Sequence, residues 1–404
     1  MLLAMAWRHI LRQRRHSLIT LILSMLTTTL FIFYVGMMEG SYAKIFKDSA
    51  HIYPGFIQAT APKFRDTPTY DYFLENRDAL IERIESVQGV ARVTPRVETF
   101  VLAASDENAI GALCVGIDPL KEPKVSTLFD TLKEGRLLEP TDTHAVLIGA
   151  TLAKRLGITL GGSFSILGTA MDESFAAETL TVVGIFQSGL RDFDEAVFLN
   201  LTAFDALFLS HDRASTLVID PDNYTQSASV AQMLSSQIDE VVIEDWRVYL
   251  STLVDAMRMD RISGMMMLWL FIVLIFFVVA IYSYLSITAR TREAGVMRAL
   301  GTKPSQIMTL FFLEALILGG ISALLGGMMG GLIIYYLELY PITLESMEEA
   351  YKAYGFIEAT LPTHFSWAIV LEGVGYIALL NIACALYPAW LVVRPRPIDA
   401  MHHL

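Results

Sequence analysis

Residues Thr291 to Gly301 read TREAGVMRALG, a short charged stretch set between two long apolar runs. Gly264 to Ala289 before it holds no charged residue over 26 positions, and Ala315 to Leu337 after it holds none over 23. Two further windows share that property, Ser17 to Met38 over 22 residues and Gly373 to Val393 over 21. Roughly 20 helical residues cross a hydrocarbon layer of about 30 Å, so each window can span a membrane. With 54% hydrophobic and only 18% charged residues, the chain is also more apolar than a soluble domain requires. Four transmembrane helices explain this better than buried helices of a soluble core.

The first window follows Arg8, Arg12, Arg14 and Arg15, as a signal peptide would. It is too long for the usual apolar region of such a peptide, and its end, Gly36 to Gly40 (GMMEG), lacks a small-residue cleavage pattern. No Leu-x-x-Cys lipidation signal stands near the start. A retained transmembrane helix is the expectation.

Orientation follows from the basic residues. Residues 1–16 hold four arginines and no acid; residues 289–306 hold Arg290, Arg292, Arg298 and Lys303 against Glu293; residues 391–404 hold Arg394 and Arg396 against Asp399. The whole chain stands at −12, so the remainder is strongly acidic and these positive segments belong on one face. Both termini and the Thr291 to Gly301 loop are expected in the cytoplasm, with a large region from about Glu39 to Arg261 outside.

That outer region mixes strands and helices. Tyr72 to Val87 has helical spacing, with Gly89 placed as a C-terminal cap. Ala91–Ala103, Ala112–Asp118, Ser163–Leu167, Thr179–Phe186, Ala196–Leu201 and Ser215–Asp220 read as strands, and Ala150–Leu156 and Leu201–Leu209 as short helices. An α/β or α+β domain is implied. Cys114 and Cys384 fall in different environments and are not expected to pair. Asn200-Leu-Thr202 and Asn223-Tyr-Thr225 fit the glycosylation tripeptide, which is common by chance.

Catalytic signatures are missing. The nearest approach to a phosphate loop is Gly301-Thr-Lys303-Pro, where proline stands in place of the Ser or Thr that would hold magnesium. The histidines have no metal-ligand spacing, and no Gly-x-Ser-x-Gly occurs. Binding of ATP by that route is not expected, and neither a cofactor nor a metal is expected to be bound directly by this chain.

As a short helix, Arg292 to Leu300 places Val296, Met297 and Leu300 on one face, with Glu293 and Arg298 at its sides. Gly295 and Ala299 form a second strip of small residues, and Gly301 with Pro304 stops the helix. The pattern fits docking into a groove on a soluble partner, and equally an interfacial helix that anchors basic residues. In the third span, Gly326/Gly330 and Gly327/Gly331 are small-x-x-x-small pairs that suit close helix packing, within the chain or across a dimer. Glu314 stands at the cytoplasmic start of that span and reads as an interfacial carboxylate. Trp246 to Arg261 places Leu250, Leu253, Val254 and Met257 on one face, as either a rigid lever into the second span or an amphipathic helix on the membrane.

The run Thr291 to Glu314, TREAGVMRALGTKPSQIMTLFFLE, closely resembles the FtsX-like permease domain, with Glu293, Gly295, Ala299 and Gly301 on its Glu-x-Gly-x-x-x-Ala-x-Gly pattern. The closing YPAWLVVRPRPIDAM, Tyr387 to Met401, is similar to the end of that domain, and Ala6 to Leu23 to its basic amphipathic lead. VTPRV (93–97), VGIDP (115–119), EGRLL (134–138), AVLIGATLAKRLGI (145–158) and VVGIFQSGLRDFDEAVFLNL (182–201) resemble the MacB-type periplasmic core domain in order. The layout is similar to the LolC and LolE lipoprotein-releasing permeases, with Gly55 to Asp66 resembling the first outer strand, although Tyr53-Pro54-Gly55 replaces the usual Pro-His. Leu160-Gly161-Gly162-Ser163 likewise stands where many relatives place Gly-Asp.

The resemblance implies an α-helical membrane protein with four transmembrane helices plus a large α+β extracytoplasmic domain between helices 1 and 2. Its segments would be 1–16 (cytoplasmic, amphipathic), 17–38, 39–261 (outer domain), 262–289, 290–306 (coupling loop), 307–337, 338–365 (short outer loop), 366–393 and 394–404 (cytoplasmic tail). It further implies a bacterial inner-membrane permease that performs no catalysis itself. Its partners would be a cytoplasmic ABC ATPase, a second permease subunit in a homo- or heterodimer, and a periplasmic carrier or adaptor, with no nucleic acid. Arg292, Glu293, Gly295, Val296, Met297, Arg298, Ala299, Leu300 and Gly301 would form the ATPase-coupling helix. Lipoprotein release is the leading function; MacB-like efflux of peptides or drugs and FtsX-like signalling to a cell-wall hydrolase are the alternatives.

Overall fold

The computed structural model describes residues 2–12, 14–106, 108–288, 291–343 and 360–393. The expected cytoplasmic tail, most of the 338–365 loop and Arg290 lie outside the described residues. The chain divides into two units, one of residues 1–43, 256–343 and 360–404, the other of residues 44–255 and 344–359.

The first unit is helical: α1 (Leu2–Arg12), α2 (Arg14–Ile52), α9 (Ser251–Thr288), α10 (Thr291–Ala299), α11 (Pro304–Leu339) and α12 (Trp367–Val393), with a two-stranded ribbon of β11 (Ile342–Thr343) and β12 (Thr360–Leu361). Four of these helices, α2, α9, α11 and α12, are long and apolar enough to cross a membrane. The first two exceed the expected spans. Glu39, Lys44, Lys47 and Asp48 end the apolar run of α2, yet its helix continues to Ile52; α9 likewise begins at Ser251, well before residue 262. Charge ends solubility in hydrocarbon, but it does not end a helix whose residues are good helix formers. Trp246–Tyr249 forms a separate short helix, so the segment expected as one lever from Trp246 divides at Leu250. The threonines Thr27, Thr28 and Thr29 are tolerated inside α2 because each hydroxyl donates to the carbonyl four residues earlier, at 2.8–2.9 Å.

The second unit contains β1 (Ile57–Thr60), α3 (Arg77–Glu85), β2 (Val90–Ala104), β3 (Ala109–Ile117), β4 (Leu132–Gly135), β5 (Ala145–Gly149), α4 (Ala150–Leu156), β6 (Ser163–Thr169), β7 (Phe175–Phe186), α5 (Arg191–Asp194), β8 (Ala196–Asn200), α6 (Leu201–Phe208), β9 (Thr216–Pro221), α7 (Ser227–Gln237), β10 (Val242–Asp245) and α8 (Trp246–Tyr249). One half is antiparallel, in the order β10-β1-β9-β2. Helix α3 connects β1 to β2 and α7 connects β9 to β10, which makes this half a split βαβ sheet. Leu80, Ile81 and Ile84 of α3 and Val230, Ala231 and Leu234 of α7 bury against Ile57, Val93, Leu217 and Ile219. Between β2 and β9 the chain makes a second body. Pairing runs β2-β3-β8-β5-β7-β6 and returns to β2, a closed ring of six strands with β4 added along β7. Closure leaves the ring itself without a free edge, and β4 is the edge strand of this body.

β5 and β8 are buried along their whole length, which is why AVLIG and AVFLN are continuous apolar runs rather than alternating ones. The helix expected from Tyr72 starts only at Arg77, because Leu74 exchanges both backbone hydrogen bonds with Ala214 and is held extended. Asn200 and Asn223 are caps: each carboxamide oxygen accepts from the backbone two residues on, at 3.2 and 3.0 Å, and Asn200 is buried. Cys114 and Cys384 are both free and buried.

Strand β2 serves both halves, and Arg96 marks the crossing. It pairs with Thr216 of β9 and with Ile117 of β3, and its carbonyl accepts from the Ser215 N–H at 2.9 Å and hydroxyl at 2.8 Å. Its guanidinium donates to Glu122 Oε1 at 3.0 and 2.6 Å, while Thr94 donates to Glu122 Oε2 at 3.1 Å. Arg96 is 1% exposed and Glu122 not exposed at all. Burial alone would lower the Arg96 pKa, but Glu122 and the neighbouring groups raise it, so the guanidinium stays charged. Removing one partner strands a charge, at a cost of about 3–5 kcal/mol. Glu122→Ala in the full chain is expected to lower the Tm of the outer-domain transition by about 10 °C. Glu85→Ala, which breaks the exposed Lys121–Glu85 pair, should shift it by no more than about 2 °C. Equal shifts in differential scanning calorimetry would refute the role assigned to the buried pair.

Candidate functional site

Helix α10 carries most of the expected coupling residues, and its end is closed by backbone geometry. Gly301 donates to the Arg298 carbonyl and Thr302 to the Met297 carbonyl, both at 3.0 Å, with Gly301 at φ +90°. This double bond needs a left-handed residue after the helix, which glycine supplies without a Cβ clash. Pro304 then opens α11, and Gln306 accepts the Lys303 N–H at 3.0 Å. A tight turn thus joins α10 to α11.

Gly295 is buried, Met297 and Arg298 are half-buried, and Val296, Ala299 and Leu300 are exposed, Leu300 to 83%. Gly295 and Ala299, one turn apart on the same side of the helix, differ in exposure. Val296 and Leu300, one turn apart, present an apolar patch to the outside. The side chains of Arg292 and Glu293 lie outside the described residues.

The four long helices meet around Phe31 and Ile32 of α2, Leu268 and Ile272 of α9, Ile334 of α11, and Ile369 and Val370 of α12. The glycines of α11 set their separation. A Cβ at Gly326 would lie 2.5 Å from the Met25 carbonyl oxygen and 2.6 Å from Thr28 Cβ, and one at Gly330 would lie 3.1 Å from Ile32 Cβ, so both face α2. Gly327 and Gly331 face Val374 and Val370 of α12 at 2.4 and 3.3 Å. The two pairs thus face two different helices of the same chain. Between them lies a buried polar cluster: Asn381 of α12 donates to Ser24 of α2 at 2.7 Å, and Ser322 of α11 donates to the same oxygen at 2.8 Å. Hydrogen bonds of this kind join helices where lipid offers no partner. Glu314 of α11 is also buried.

Helices α2 and α9 are joined again further along. In the first unit, Arg261 bonds Glu39, and Tyr42 donates to Asp260 at 2.8 Å. The segment before α12 is tied to the same end of the bundle, with His364 N–H donating to the Gly36 carbonyl at 2.9 Å and Thr363 to the Ile334 carbonyl at 3.0 Å. In the second unit, Phe46 meets Trp246 with ring centroids 4.9 Å apart, and Tyr249 donates to the Gly55 carbonyl at 2.5 Å. Tyr53, directly after α2, stacks on Arg96 at 3.7 Å and donates to Glu98 at 2.6 Å. Burial first, then Glu98, pushes the Tyr53 phenol well above its usual pKa, so it remains a donor. The end of α2 is therefore fixed to the crossing point of β2.

Sequence reasoning missed this Tyr53–Arg96–Glu122 cluster and the Ser24–Ser322–Asn381 cluster. A signal existed for each: Thr94, Arg96 and Glu98 alternate as polar residues inside an apolar strand, and Ser24, Ser322 and Asn381 interrupt otherwise apolar spans.

The glycine geometry separates two substitutions on one helix. Gly326→Ala should destabilise the detergent-solubilised protein by about 1–3 kcal/mol through overpacking. Gly320→Ala, where a Cβ meets nothing within 4 Å, should be neutral or stabilise by up to about 1 kcal/mol. A thermal-shift measurement in which both behave alike would reject the packing assignment.

Comparison with known proteins agrees with this architecture. Residues 17–237 match the MacB-like periplasmic core domain and residues 265–397 the FtsX-like permease C-terminal region. The chain is 24% identical over 330 residues to the lipoprotein-releasing system transmembrane protein LolC of Xylella fastidiosa, covering 78% of each chain. It is 22% identical over 322 residues to LolC of Haemophilus influenzae, again covering 78% of each. The periplasmic region of MacB from Actinobacillus actinomycetemcomitans aligns over 50% of this chain and 94% of its own, at 14% identity and a TM-score of 0.37. The first of these matches takes in more than half of the sequence, and the chain belongs to the family of ABC transporter permeases that carry a MacB-like periplasmic core domain with an FtsX-like permease C-terminal region.

Proposed function

We propose that this chain is the permease subunit of a system in which a separate cytoplasmic ATPase, holding ATP and Mg, drives mechanical motion of the outer domain to release lipoproteins from the bacterial inner membrane. The carrying observation is the patch of Val296 and Leu300, set on a nine-residue helix between α9 and α11 and closed by a tight backbone cap. Such a patch suits a groove on a soluble subunit, with Arg292, Glu293, Gly295, Met297, Arg298, Ala299 and Gly301 framing it. Movement imposed there acts on α9, which runs unbroken from Ser251 to Thr288. α2 runs unbroken from Arg14 to Ile52, and its end is fixed to β2 through Tyr53 and Arg96. A helix with a complete hydrogen-bond ladder passes displacement along its axis without needing a cargo path through the bilayer.

The choice of lipoprotein as cargo is supported by the two LolC relatives, each aligned over 78% of its length. A second permease subunit has a surface available along α9, where Leu270, Phe271, Leu274 and Phe277 are exposed. A periplasmic carrier would receive the cargo.

Val296→Asp combined with Leu300→Asp is expected to remove at least about nine-tenths of the co-purifying ATPase while leaving the Tm within about 2 °C, since both side chains are exposed. In cells, depletion of the chain should leave lipoproteins in the inner membrane. Undiminished ATPase recovery would sink the docking reading; normal lipoprotein sorting would sink the choice of cargo.

A further inference from the structure

Helix α1 packs along α11, with Ala6 fully buried and Ile10 half-buried, and Ser17 of α2 donates to the Ile10 carbonyl at 3.2 Å. One side of α1 is therefore held by the bundle. The other side has two neighbouring stripes. Trp7 and Leu11, one turn apart, are 48% and 49% exposed; Arg8 and Arg12, each one position further, are exposed beside them. Leu18 and Ile19 continue the exposed apolar surface onto the start of α2. Residues 1–16 carry four arginines and no acid in a chain whose net charge is −12.

We propose that α1 is a docking surface for anionic phospholipid headgroups of the cytoplasmic leaflet. Trp7 and Leu11 enter the boundary of the acyl region, and Arg8 and Arg12 hold headgroup phosphates. Three arguments select this occupant. Indole favours the membrane–water boundary, where its apolar ring and N–H are both accommodated. Guanidinium binds phosphate through two parallel hydrogen bonds. A soluble partner would have to offer a groove both acidic and deep enough for an indole, whereas the interface is present wherever α2 enters the bilayer, one turn beyond Arg12. Apolar insertion and charge attraction reinforce each other on such a helix, and neither alone holds it firmly.

The test uses the full chain in phosphatidylcholine nanodiscs with increasing fractions of brominated phosphatidylglycerol, reading quenching of the Trp7 signal as the difference between wild type and Trp7→Phe. Each arginine near an anionic surface changes affinity about fivefold, so Arg8→Gln with Arg12→Gln should raise the half-quenching fraction at least about tenfold. Arg8→Lys with Arg12→Lys should recover most of the loss, and 0.5 M NaCl should weaken wild type. Circular dichroism and an unchanged Tm establish that the glutamine variant is folded. Three results would overturn the proposal: equal titrations for wild type and the glutamine variant, equal quenching by brominated phosphatidylcholine, or complete competition by soluble glycerol phosphate. If the glutamine variant titrates as wild type but loses bound ATPase, α1 is a protein contact instead.

Discussion

Arg96 and Glu122 are buried together where β2 leaves the split βαβ sheet and enters the closed ring of six strands. The strand is flanked by β9 and by β3 at this point, and its polar groups there are shut off from water. The guanidinium, the carboxylate and the Thr94 hydroxyl satisfy one another there, and Tyr53 closes the cluster from above with its ring. A buried pair is poor evidence of net stability, because apolar residues often do as well. What it does supply is a constraint on β2: a shift of this strand would part Arg96 from Glu122 and leave a buried charge without its partner.

In the membrane unit the corresponding constraint is backbone proximity. Gly326 and Gly330 admit α2, Gly327 and Gly331 admit α12, and Ser24, Ser322 and Asn381 join all three helices by hydrogen bonds. Lipid offers no hydrophobic gain for association, so packing and these few polar contacts select the arrangement. α9 meets α2 closely at Gly264, whose carbonyl accepts from Tyr34 at 3.2 Å, and elsewhere keeps large apolar side chains on its surface.

The sequence was most legible where physics is local. Absence of charge over 21 to 26 residues marked the four spans, and glycine with a following proline marked the end of α10. Six strands were readable from their apolar runs; β4, β5, β10 and helix α7 were not, because β4 and β10 are four residues long and β5 five, and α7 is rich in serine and glutamine. Tertiary pairing overrode local preference at Leu74, where two backbone bonds to Ala214 hold an apparently helical segment extended. The shared strand was invisible for a different reason. Its fifteen residues read as one uniform strand, and nothing in a single sequence states that Arg96 has two different neighbours.

The unbroken helices carry the functional argument furthest. An apolar window ends where charged side chains would be costly in hydrocarbon, but the backbone ladder that makes a helix stiff is indifferent to that border. Glu39, Lys44, Lys47 and Asp48 lie within α2, and Asp255, Arg258, Asp260 and Arg261 lie within α9, on helices already formed inside the bilayer. Ties between the two helices, Arg261 with Glu39 and Tyr42 with Asp260, add resistance to bending just where isolated helices in water would fray. Polar contacts between Ser24, Ser322 and Asn381 join α2, α11 and α12 within their apolar stretches, whereas α2 and α9 continue as helices past the ends of theirs.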